Sequence, residues 1–230
     1  MKMLLAFRKG EALRHLGHLD LQRAMQRALR RSGLPVRYSQ GFNPHILTAF
    51  ASALAVGVSS DEEIVEAALA LSEPIEAEDC LIRMNAVLPE ALRATRVKLV
   101  EDAHPALMGL LKQAGYVAWL PGADAGALAA AARAFLAEEE VMALRVSKRG
   151  ERLVNIRPMV HRLTVAEAEG GARFEMRLSL EEAATLKPDL LLSTLWERAG
   201  LPPEAMGKPR LRRTGLFGVR DGGVVPLMDL

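Results

Sequence analysis

The sequence predicts an α+β fold of two consecutive βαββαβ units, each an antiparallel sheet with helices on one face. Three observations carry this expectation. Apolar periodicity in the first hundred residues alternates between the twofold spacing of strands and the 3.6-fold spacing of helices in that order. A similar order begins again near residue 115, with one strand more. Gly and Pro punctuation falls where the periods change, as at Gly33 and Pro35, Gly170 and Gly171, and Gly200.

In the first unit, MLLAFRK (3–9) reads as a strand. HLDLQRAMQRALRRS (18–32) is an amphipathic helix, because Leu21, Ala24, Met25, Ala28 and Leu29 recur at i, i+3, i+4, i+7, i+8. Arg23, Arg27 and Arg30 share another face, with Arg31 beside them. VRY (36–38) starts a short strand, and ILTAFASAL (46–54) is apolar enough for a second. EEIVEAALAL (62–71) suits helix or strand. It is assigned to a strand, since Ser72-Glu73-Pro74 ends it and a clearer helix follows over 76–88 on Ala77, Leu81, Met84 and Leu88. ATRVKLVE (94–101) alternates as a strand. The order is the ferredoxin-like plan, and the first unit is placed at 1–101.

DAHPALMGLLKQA (102–114) reads as a helical connector, and 115–230 as a second ferredoxin-like unit with an extra strand. Its elements are a strand YVAWL (116–120) and an alanine-rich helix (123–139). A hairpin of 141–148 and 152–160 turns at Arg149-Gly150, and another of 163–169 and 172–180 turns at Gly170-Gly171. A helix over 188–200 and a strand over 211–219 follow. Asp221-Gly222-Gly223 reads as a hairpin turn.

Composition narrows the function. The chain has 230 residues, half of them apolar and a quarter charged, with net charge +2. No run of about 18 uncharged apolar residues suggests a membrane span, and the first residues lack the pattern of a signal peptide. Cys80 is the single cysteine, which excludes an intrachain disulfide and any four-cysteine metal or iron–sulfur site. The expectation is a cytoplasmic protein without membrane association. Charge is uneven. Residues 1–50 hold nine cations (Lys2, Arg8, Lys9, Arg14, Arg23, Arg27, Arg30, Arg31, Arg37) against Glu11 and Asp20, a balance of +7, whereas 51–100 carry −5. Such a segment points to an anionic partner, of which nucleic acid is the natural one. A solvated helix face has the same composition.

The stretch YSQGFNPH (38–45) sets Tyr38, Gln40, Phe42, Asn43 and His45 in one short connection after the arginine helix. Aromatics beside arginines suit an unpaired base: Tyr38 and Phe42 stack, while Gln40, Asn43 and His45 read its edge and Arg23, Arg27, Arg30 and Arg31 meet phosphates. His15, His18 and His45 are candidates for a metal or for acid–base chemistry, but no HExxH or Cys/carboxylate spacing accompanies them, so no metal and no cofactor are expected. His18 and Asp20 near the helix start are also capping and macrodipole residues. Residues 214–223 contain glycines within and after a strand, which is not a phosphate loop, and no GxSxG elbow is present. Asn155-Ile156-Arg157-Pro158 puts a proline inside an expected strand, the mark of an edge or bulge. Arg157 there is either an anion contact or a surface cation.

The segment RHLGHLDLQRAMQRALRRSGLPVRYSQGFNPH (14–45) resembles the radical-SAM-linked proteins, a bacterial domain of unknown function found fused to or encoded beside radical SAM proteins. His18, Leu19, Asp20, Arg23, the run Tyr38 to His45, Phe50, Ala51, Ala53, Leu54, Gly57 and Val58 match its pattern. So do Asn85 to Pro89, Ile156-Arg157-Pro158, Leu186-Lys187-Pro188 and Arg213 to Leu216. Gly17, Ile46-Leu47, Ile64 and Asn155 depart from it, and Leu47 replaces a lysine that would contact an anion. The resemblance implies a radical SAM partner and no established reaction. The sequence has no CxxxCxxC cluster, so the chain is expected to be an accessory module that is not itself an enzyme. The paired plan with a helix-start histidine also looks like the CRISPR repeat-RNA endonucleases. On that alternative the chain is a metal-independent ribonuclease using His18 or His45 as general acid–base. A third alternative is a protein-interaction domain alone.

Overall fold

The computed structural model describes residues 1–70, 73–147, 150–181 and 183–230. It is a mixed α+β protein dominated by antiparallel sheet. The chain forms two compact units, one of residues 1–111 and 215–230 and one of 112–214.

The first unit starts with β1 (Lys2–Lys9), in which Met3 to Phe7 are all buried, so both faces of the strand are covered. That is why its sequence is a continuous apolar run rather than an alternation. Helix α1 (His18–Arg31) buries Leu21, Met25, Ala28 and Leu29, the expected stripe. It ends at Ser32, before Gly33 at φ +69°. Strand β2 spans only Thr48–Phe50, shorter than the apolar run 46–54, because after Ala51 the chain turns away toward Gly57 at φ +89°. Strand β3 (Val58–Ala68) is a strand, as assigned, but starts four residues earlier than expected and holds Glu62, Glu63 and Glu66. Leu71 and Ser72, its expected end, lie outside the described residues.

Helix α2 (Ala77–Asn85) is centred on buried Cys80 and Met84 and stops three residues short of expectation. Asn85 ends it by clamping the next strand: its Nδ2 donates to the Ala94 carbonyl at 3.1 Å and its Oδ1 accepts from the Ala94 amide at 2.9 Å. Strand β4 (Ala94–Val100) pairs with β1, and the antiparallel order is β4-β1-β3-β2. Met3, Leu5 and Phe7 of β1 share one core with Leu21, Met25 and Leu29 of α1 and Cys80 and Met84 of α2, so both helices lie on one face.

The expected helical connector 102–114 is a single turn, α3 (Leu107–Leu110). Residues Gln113 to Pro121 already belong to β5 of the second unit, so the extended stretch starts three residues before YVAWL. Helix α4 (Ala125–Ala137) is capped by Asp124, whose carboxylate accepts from the Ala127 amide at 3.0 Å. β6 (Met142–Ser147) and β7 (Gly150–Asn155) form the first expected hairpin, a two-stranded sheet of its own. Residues 148 and 149 of its turn lie outside the described residues. β8 (Val160–Ala168) and β9 (Gly171–Ser179) form the second. Gly171 is required there, since an added Cβ would lie 2.2 Å from the Leu120 carbonyl oxygen of β5. Helix α5 (Pro188–Arg198) follows. β10 (Arg210–Arg220) carries the chain out of the second unit after Thr214 and back into the first. The second-unit order is β10-β5-β9-β8.

The last sixteen residues, expected in the second unit, therefore belong to the first. Asp221-Gly222 makes the expected turn, with Asp221 at φ 51°, into β11 (Gly223–Pro226), which pairs with β10. Lys98 donates to the Leu230 carbonyl at 2.6 Å and Arg96 pairs with Asp229 at 2.7 Å, tying the terminus to β4. Among the described residues no helix is long and apolar enough to cross a membrane.

Candidate nucleic-acid interface

The arginine helix packs against β2, the strand that follows the Tyr38–His45 loop. Two contacts orient the helix against β2. His18, at the first turn of α1, packs edge-on against Phe50 with ring centroids 5.2 Å apart, and Gln26, two turns on, donates to the Thr48 hydroxyl at 3.5 Å. β2 thus runs antiparallel to α1, and residues before Thr48 continue toward the helix C-terminus. At about 100° per residue, Arg30 lies some 40° from Gln26 around the helix and Arg23 some 60°, both away from the core stripe; Arg27 follows at about 100°. Arg31 is about 140° round. It serves the opposite flank, donating to the Val87 carbonyl at 2.9 Å.

The loop is a pinned structure. Tyr38 bridges Ile46, and the Leu47 amide donates to the Arg37 carbonyl at 2.9 Å. Ser39 and His45 are joined three times. The Ser39 amide donates to the His45 carbonyl at 2.8 Å, the His45 amide donates to Ser39 Oγ at 3.1 Å, and Ser39 Oγ and His45 Nδ1 share a hydrogen bond at 2.8 Å. Gly41, at φ +121°, makes the bend at the tip. Beyond this stem the side chains turn outward. Phe42 is 106% exposed and Tyr38 43%, and Gln40 and Asn43 are exposed with no side-chain hydrogen bond among the described residues.

The charge that the sequence concentrates in residues 1–50 is only partly available. Arg8 pairs with Glu90, Arg14 with Glu11 and Arg37 with Asp102. Lys2 donates to the His104 carbonyl at 2.7 Å. Lys9 is fully buried, its ammonium donating to the carbonyls of Arg14 at 3.0 Å, Leu16 at 2.9 Å and Val58 at 3.3 Å. Arg23 is exposed and pairs with Asp20 at 3.2 Å, a bond that solvent weakens. Arg27 and Arg30 are exposed and have no ion pair among the described residues. Periodicity identified the arginine face. It carried no sign of the buried Lys9, whose three acceptors come from the segment before α1 and from the first residue of β3.

Each of the three histidines near α1 and the loop has its own surroundings. His18 Nδ1 is buried without a hydrogen bond, Asp20 is turned to Arg23, and His45 holds the loop through Ser39. His15 accepts from Arg14 at 3.0 Å. Among the described residues no group of three or more His, Cys, Asp or Glu is placed to hold a metal.

Arg157 belongs to the second unit and is engaged inside it. Pro158 is not in a strand; Arg157–Met159 form a 3₁₀ turn between β7 and β8. Asn155 Oδ1 accepts from the amides of Val141 at 3.0 Å and Arg157 at 3.1 Å, which shapes that turn. The Arg157 guanidinium donates to the carbonyls of Val160 at 3.2 Å and Leu136 at 3.0 Å and lies 5.9 Å from the Phe135 ring centroid. The bonds hold α4 to the turn, and a proline–arginine pair in sequence does not distinguish this from an exposed anion contact.

None of the curated proteins compared with the chain matches it. A family model described as an uncharacterized protein conserved in bacteria (DUF2344) matches residues 2–188, most of the first unit and most of the second, and the chain belongs to that family.

Proposed function

We propose that the chain is a non-catalytic accessory module of a radical SAM enzyme and that it binds RNA through α1 and the 38–45 loop. The observation that carries the RNA reading is Phe42. A phenyl ring left wholly in water at the tip of a loop that three hydrogen bonds hold in shape contributes nothing to this fold. It suits stacking on an unpaired base, with Tyr38 beside it at the stem and Arg27 and Arg30 free for phosphates. Gln40 and Asn43 offer donors and acceptors for a base edge. The radical SAM partnership rests on the sequence resemblance, and the enzyme's cluster would come from the partner, since the chain's one cysteine is buried. Both units are proposed to be ferredoxin-like: the orders β4-β1-β3-β2 and β10-β5-β9-β8 support it, with β6–β7 as an inserted hairpin in the second. The Ser39–His45 bonds and the His18–Phe50 packing favour structural roles for both histidines over the ribonuclease alternative.

The test is filter binding of an RNA hairpin with an unpaired loop over a salt series. With three or four phosphates neutralised, log K falls with log salt at a slope of roughly −2 to −4, and Arg27→Ala with Arg30→Ala flattens it by about 2. Phe42→Ala weakens binding by about 1–3 kcal/mol, roughly 5- to 150-fold, without changing the slope. No affinity at low salt, or a Phe42→Ala protein that binds as the wild type does, refutes the reading.

A further inference from the structure

A groove of about 620 Å³ in the second unit runs between β6 and α5. We propose that it receives an extended, acidic and apolar peptide from a partner protein, which adds to β6 as a third strand. This goes beyond the RNA reading and uses none of its residues.

The argument begins with which residues line the groove. Leu144, Arg145 and Val146 all do, and they are consecutive. Side chains of a strand point alternately to opposite faces, so a cavity over one face would be lined by every second residue. Three in succession place the groove along the edge of the strand. It is the edge away from β7, because no β7 residue lines the groove and β7 occupies the other side in register from Met142↔Asn155 to Ser147↔Gly150. Among the described residues β6 pairs with β7 alone. Its outer row of backbone N–H and C=O groups is therefore open to another strand.

The rest of the lining defines the chemistry. Leu190 of α5 and Met206 form an apolar wall opposite the edge. On the outer face of the hairpin Met142, Leu144, Val146 and Leu153 are each at least half exposed, an apolar surface continuous with the groove. Two cations lie in the lining, Arg145 and Lys187. Arg145 donates to the Thr185 carbonyl, and neither cation is paired with a carboxylate among the described residues. Among the described residues Asp189 is the one acid in the lining and lies in the first turn of α5, where the helix dipole favours it. The volume falls within the ~300–1,000 Å³ of sites that enclose a ligand. An extended peptide of about four residues spans roughly 14 Å, within the length of the six-residue β6.

The experiment uses the full chain and a fluorescein-labelled octapeptide alternating glutamate with leucine or valine, followed by fluorescence polarisation. Saturable binding is expected, weakened at least tenfold by Leu144→Glu. That substitution sits at a half-exposed position and is checked to unfold at the wild-type temperature. The same peptide with proline at alternate positions, which cannot donate to a strand edge, is expected to bind at least tenfold more weakly, as is one with lysine for glutamate. A second variant, Ser193→Trp, fills the groove from the α5 side and is expected to block binding. No binding up to about 1 mM peptide overturns the proposal. So does a proline peptide that binds equally well, or a chain that dimerises through this edge by light scattering and excludes the peptide.

Discussion

Replacing Lys9 with methionine tests how the first unit holds the start of α1. The ammonium of this fully buried residue donates to three carbonyls, two in the segment 14–16 that leads into the helix and one at Val58. Hydrogen bonds to a charged group are worth about 1.5–3 kcal/mol each, but the buried ammonium also bears a desolvation cost that offsets much of their sum. Leaving a buried acceptor without its donor costs about 1–3 kcal/mol, so stripping three carbonyls together, less the relieved desolvation of the ammonium, makes a net loss of about 3–5 kcal/mol. Methionine keeps most of the stem volume, so cavity formation adds little. A loss of that size is a large fraction of the ~5–15 kcal/mol that holds a domain folded. At about 2–4 °C per kcal/mol for a chain of this length, the melting temperature drops by roughly 6–20 °C. The assay is urea unfolding followed by circular dichroism, with calorimetry as the second readout. A loss below about 1 kcal/mol would show that the three carbonyls are satisfied without the ammonium and would refute the reasoning.

Two further outcomes concern buried groups of the same unit. Burial is the main force raising the Glu66 carboxyl pKa, only partly offset by Lys2, the Leu107 amide and His104, and its Oε1 has no hydrogen bond. A raised folded pKa means that stability is present below the ordinary carboxylate range and is lost as pH rises through the raised value. Glu66→Gln is therefore expected to be more stable than wild type at neutral pH and to lose that advantage on acidification, as measured by urea midpoints across pH; an unchanged difference between the two proteins at both ends refutes it. Burial, reinforced by Asp79, also pushes the Cys80 thiol up. Ellman's reagent at pH 8 is expected to react with it only as denaturant unfolds the protein, and rapid reaction in the native state would contradict its placement.

What the sequence determined by itself is local. The α1 stripe of Leu21, Met25, Ala28 and Leu29, the arginine face opposite it, the hairpins at Gly170 and Asp221 and the helix start at Pro188 all follow from periodicity or turn chemistry within a few residues. The unusual composition of residues 38–45 was visible too, because two aromatics in a glycine-bearing connection need no partner to be noticed. Tertiary structure decided which charges remain free, since ion pairing depends on neighbours distant in sequence. Arg37 meets Asp102, Arg8 meets Glu90, and Arg157 turns onto Leu136 and Val160. It also decided that Lys9 is buried, that residues 215–230 return to the first unit, and that among the described residues β6 pairs with β7 alone. A strand's alternation says which residues share a face, but its edges are filled or left open by hydrogen bonds to other strands, and those bonds exist only once the chain has folded.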